Sequence, residues 1–126
     1  MNPGFAALAR ALAYQALKDG EAPGRAQAAL RERIMGNAKI LDVVPPRVEE
    51  AYRRIMAITM DDMPPDTDDV ALLLDTLAMR IGATTRADAW RFIGINPNRG
   101  RDLLARNAGA VDWPVWFTMR QAALGE

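Results

Sequence analysis

Asn98, Arg99 and Arg101 stand within four positions of one another, with Arg86 and Arg91 before them and Arg106 after them. A guanidinium is a rigid fork that pairs with phosphate oxygens or with O6 and N7 of guanine, and an asparagine amide matches N6 and N7 of adenine. Placed in the first turns of a helix anchored by Leu103 and Leu104, Asn98, Arg99, Arg101 and Asp102 face outward. Their chemistry then suits base edges in a major groove, while Arg86, Arg91 and Arg106 suit the phosphate backbone. Arginine is common throughout, 14 of the 16 cations, so a solvated basic face of an Arg-rich and Ala-rich chain is the plainer account of the same residues.

Most other chemistries are absent. The 126 residues include no cysteine and no histidine, which removes thiolate nucleophiles, disulfides, structural zinc sites and Ser–His or Cys–His catalysis. The acids Asp61, Asp62, Asp66, Asp68 and Asp69 lack the alternating order, central glycine and closing glutamate of a calcium loop. Loop solvation and helix capping account for them, with attraction of a basic partner as an alternative. Glu49 and Glu50 lie on one helix surface rather than across a pocket, and Gly94 and Gly100 do not form a phosphate loop after a strand. The expectation is a protein that is not an enzyme and uses no cofactor or metal.

Formal charge is 16 minus 16, or zero, so any electrostatic footprint must be local. Met1 to Met60 carries 9 basic and 6 acidic residues, Asp61 to Met79 carries 0 and 6, and Arg80 to Glu126 carries 7 and 4. Two mildly basic segments therefore flank an acidic one.

The elements that must position these side chains read as helices. Phe5, Leu8, Leu12, Ala16 and Leu17 recur at three and four residues until Gly20, and Ala26, Ala29, Leu30 and Ile34 share a face that Gly36-Asn37 closes. The small faces of these two helices suit a dimer seam as well as an internal core. Ile40 to Val44 is a short apolar run with no second β-rich run to pair with, hence a buried connector. Pro45-Pro46 opens a third helix, with Val48, Tyr52, Ile55 and Met56 inward, ending near Met60. Pro64-Pro65 marks a boundary. Beyond it, Asp66 or Thr67 caps a helix with core face Val70, Leu73, Leu74, Leu77, Ala78 and Ile81, and Gly82 stops it. Thr85 caps Arg86–Ile93, Gly94 permits a sharp turn, Ile95 drops inward, and Asn96-Pro97 starts Pro97–Arg106. Asp112 suits an N-cap for Trp113–Leu124, whose Trp113, Trp116, Phe117 and Met119 supply core bulk or, alternatively, a partner surface.

From Thr67 to Leu124 the chain resembles the Cro/repressor-type helix-turn-helix family, including small regulators of phages and mobile elements. It departs from that pattern at Trp90, where the family has a small residue, and at Gly100, where it has a buried aliphatic; a small Gly100 makes room for a large Trp90. The resemblance implies a repressor-like, sequence-specific regulator that binds double-stranded DNA as a homodimer. The expected architecture is all-α, with residues 1–63 as a helical subdomain for dimerisation or support and 64–126 as the helix-turn-helix domain. A protein-binding module or inhibitor, using the acidic loop and the aromatic last helix on a protein partner, is the alternative. The first twenty residues lack a signal-peptide pattern and no segment approaches a membrane span, so a soluble cytoplasmic protein is expected, without membrane association.

Overall fold

A computed structural model describes residues 3–18, 25–37, 39, 45–59, 65–105 and 113–125. Among these residues the protein is all-α: α1 Pro3–Leu17, α2 Arg25–Gly36, α3 Pro45–Ala57, α4 Thr67–Ile81, α5 Arg86–Phe92, α6 Pro97–Ala105 and α7 Trp113–Leu124. The connector Ile40–Val44, the stop at Gly20, the acids Asp61 and Asp62 and the proposed cap Asp112 lie outside the described residues.

The central element is α4, and its ends are defined by local chemistry. The Asp66 carboxylate accepts from the Asp69 N–H at 2.8 Å, and the Asp69 carboxylate accepts from the Asp66 N–H at 3.0 Å, a reciprocal box that satisfies two donors at the start of the helix. The same two acids take the guanidinium of Arg54 from α3, with Nε 2.9 Å from Asp69 Oδ1. At the other end Gly82 has φ +73°, the left-handed conformation in which a side chain is strained, and its N–H reaches back to the Met79 carbonyl. Between these caps Val70, Leu73, Leu74, Leu77 and Ala78 are fully buried, while Ile81 is only partly so.

One apolar cluster spans the proposed boundary at Pro64-Pro65. Leu8 and Ala9 of α1 and Val48 and Ile55 of α3 meet Val70, Leu73, Leu74 and Leu77 of α4, Trp90 of α5 and Trp116, Met119 and Leu124 of α7. Helices α1 and α3 thus supply part of the core on which the later helices pack. Of the buried alanines of α1, Ala9 belongs to this cluster, whereas Ala7 and Ala11 pack in a second one with Leu30 and Ile34 of α2. Trp116 and Met119 are buried too, whereas Trp113 and Phe117 are half-buried and stack at 5.8 Å. No described helix is long and apolar enough to cross a membrane.

Close approach of α1 to α7 depends on Gly4. A Cβ at this position would lie 2.8 Å from the Leu124 Cα, which is backbone and cannot rotate away. Gly4→Ala is expected to lower stability by about 1–3 kcal/mol through overpacking, outweighing the ~1 kcal/mol that alanine gains in helix propensity. Urea unfolding followed by helical circular dichroism measures the difference.

Candidate nucleic-acid interface

The α5–turn–α6 unit is built by short-range bonds at each joint. Thr85 caps α5, its hydroxyl accepting from the Asp88 N–H at 3.2 Å. The helix ends as the Ile93 and Ile95 N–H groups both reach the Trp90 carbonyl, at 3.2 and 2.9 Å, with the Gly94 N–H on the Arg91 carbonyl at 3.0 Å. Gly94 has φ +81°, so glycine is what lets the chain reverse there. Asn96 then starts α6: its side chain accepts from the Asn98 N–H at 2.9 Å and its carbonyl from the Gly100 N–H at 2.9 Å. Pro97 fits the first helical position because its missing N–H would have no partner there anyway.

Tertiary contact between α5 and α6 is a large-into-small fit. Trp90 is 2% exposed, Gly100 is buried, and a Cβ built on Gly100 would fall within the Trp90 indole. Leu103 and Leu104 pack against the core from the same helix. With this side of α6 turned inward, Asn98, Arg99, Arg101 and Asp102 are exposed on the other. Among the described residues neither Arg99 nor Arg101 makes an ion pair. Asp102 interrupts the positive character of this face.

The residues assigned to phosphate divide three ways. Arg91 is exposed and pairs with Asp88 at 2.9 Å, a surface pair one turn apart whose small net worth leaves it free to exchange partners. Arg106 lies outside the described residues. Arg86 has a different task from the one its position suggested: Nε and one Nη hold the two carboxylate oxygens of Asp75 at 2.9 and 3.0 Å, which directs the guanidinium inward. Its reason is the burial of Asp75, which is wholly inaccessible and must be paired.

Asp75 is a feature that sequence reasoning did not single out. Besides Arg86 it accepts from Arg31 of α2 at 2.8 Å and from Gln15 of α1 at 3.1 Å, so four helices meet at one carboxylate. Burial pushes its pKa up, but the hydrogen bond from Arg86, the charges of Arg86 and Arg31 and the Gln15 amide outweigh it and hold the pKa below the ordinary value. Arg31 also lies over the Tyr14 ring at 4.5 Å. The available signal was a lone acid within the apolar run Leu72-Leu73-Leu74-Asp75-Thr76-Leu77.

No family model matches this sequence, and no match is found among curated proteins or solved structures.

Proposed function

We propose that this chain is a sequence-specific DNA-binding regulator, repressor-like in character, in which α6 enters the major groove. The observation that carries this reading is the outward face of α6: Asn98, Arg99 and Arg101 sit exposed on a short helix that is capped, turned by Gly94 and locked against α5 by Trp90 and Gly100. Two short helices around a glycine turn fit the docking geometry in which the second helix reads base edges. Arg99 and Arg101 supply forks for guanine, Asn98 an amide for adenine, and Arg91 and Arg106 cations for the backbone. Arg86 holds the start of α5 from within rather than touching phosphate.

Part of what favoured a protein-binding module is used inside the molecule, although Asp68 is exposed and Trp113 and Phe117 are half-buried. Trp116 has no exposed surface, and Asp66 and Asp69 are engaged by each other and by Arg54. In the DNA reading α1 and α3 serve as packing support, and a homodimer would address two half-sites about 34 Å apart.

Replacement of one base-reading arginine tests the assignment. Arg99→Ala is expected to reduce discrimination between the preferred site and a variant at one base position about tenfold, the effect of one bidentate base contact of ~1–3 kcal/mol. Competition binding on labelled duplexes reads this directly. Equal loss on every sequence would instead place Arg99 on the phosphates.

A further inference from the structure

Among the described side chains of α2, only Leu30, Arg31 and Ile34 are buried. Leu30 and Ile34 belong to a small cluster with Ala7, Ala11 and Tyr14 of α1 and Met79 of α4, separate from the main core. The third buried residue is charged. Arg31 gives one Nη to Asp75, while its other Nη is buried without a hydrogen-bond partner. Two arginines on one carboxylate leave an excess positive charge in a region of low dielectric, an arrangement that disfavours burial of Arg31. A helix held by two aliphatic side chains, a partly buried Met35, a single long hydrogen bond from Tyr14 to Gln27 at 3.3 Å and a cation that covers the Tyr14 ring but leaves one Nη unsatisfied has the character of a unit that opens without the rest.

What α2 touches gives its opening a consequence. Asp75 Oδ1 accepts from both Arg31 and Arg86, at 2.8 and 2.9 Å, and Asp75 is fully buried while Arg31 is in place. When Arg31 withdraws, water reaches the carboxylate and the Asp75–Arg86 attraction weakens as the local dielectric rises. Arg86 is the first residue of α5, so the hold on that helix loosens with it.

We propose that α2 is a clasp whose docking on α1 and α4 is coupled, through the Asp75 carboxylate, to how firmly α5 is held. Its importance for DNA rests on the reading above, because α5 carries the Trp90 surface that positions α6. The clasp itself does not depend on that reading.

Hydrogen exchange on the full chain tests the coupling. In the wild type, α2 amides are expected to exchange at least about tenfold faster than those of Leu73 to Leu77 in α4. Leu30→Ala weakens docking without touching Asp75, and should accelerate α2 and α5 together by a similar factor while α7 is unchanged. Arg31→Ala, which removes both the ion pair and the side chain that shields Asp75 from water, should do the same, and Arg31→Lys, which retains a cation for Asp75, should recover part of the protection. Acceleration of α2 alone overturns the coupling, and uniform acceleration of every helix overturns the clasp. Paired acceleration of α2 and α5 in variants that, like the wild type, bind no DNA duplex would keep the clasp and reject the DNA reading.

Discussion

Asp75→Asn is expected to lower the free energy of unfolding by about 3–5 kcal/mol, because it removes one member of a buried charge network and strands the others. The substitution is nearly isosteric, so the loss is electrostatic and not a cavity. Arg31, 4% exposed, is left without a counter-charge, and Arg86, 31% exposed, loses its bidentate partner. Adding Arg31→Met should recover part of the loss, since the stranded cation is then gone, and this non-additivity separates the charge effect from a general weakening. The pH dependence has a definite sign. Asp75 has its pKa lowered in the folded protein, so its stabilising contribution is complete above the unfolded value of about 3.9 and is lost as pH falls below that through the folded pKa. The stability difference between wild type and Asp75→Asn should therefore be flat near neutral pH and shrink only in strong acid. Urea titrations at a series of pH values measure it.

Gly100→Ala should cost about 3 kcal/mol, the upper part of the range for overpacking, although alanine is the better helix former. The added methyl group has no space, because it would overlap the indole of Trp90, itself almost wholly buried under the core. Relief requires α6 to move away from α5 or the indole to leave its place. A smaller partner should reverse the sign of the second substitution: in a Trp90→Leu background, Gly100→Ala should be neutral or stabilising. A thermal-unfolding cycle of the four proteins gives the coupling. Additive losses would show that Trp90 and Gly100 do not determine the spacing of the two helices.

Those features written in neighbouring residues were legible before the structure. Asp66 and Gly82 delimit α4, and Thr85, Gly94 and Asn96-Pro97 delimit the two helices of the turn, because caps and turns are decided within a few residues. The compensation between Trp90 and Gly100 was also visible, since their sizes are reversed relative to the pattern the segment resembles. The end without a strong signal was less precise: α3 ends at Ala57 rather than near Met60. The Asp75 network was hidden for a different reason. Its partners lie 11, 44 and 60 positions away, and hydrophobic periodicity reports which face is inward but not which distant polar groups meet there. The same limit explains Arg86, which has the composition of a phosphate contact but is half-buried and paired with a buried carboxylate.

Base reading by α6 is tested by selection of a site from a pool of random-sequence duplexes, with binding followed by fluorescence anisotropy across a salt series. Wild-type protein should bind more weakly as salt rises, through release of counterions from phosphate, and should enrich one site, with half-sites about one helical turn apart if the protein dimerises. The Arg99→Ala/Arg101→Ala double variant should retain its fold and some salt-dependent binding but lose the enriched sequence. Absence of binding by the wild type even at low salt, or enrichment of the same site by the double variant, would overturn the assignment of α6 to base reading.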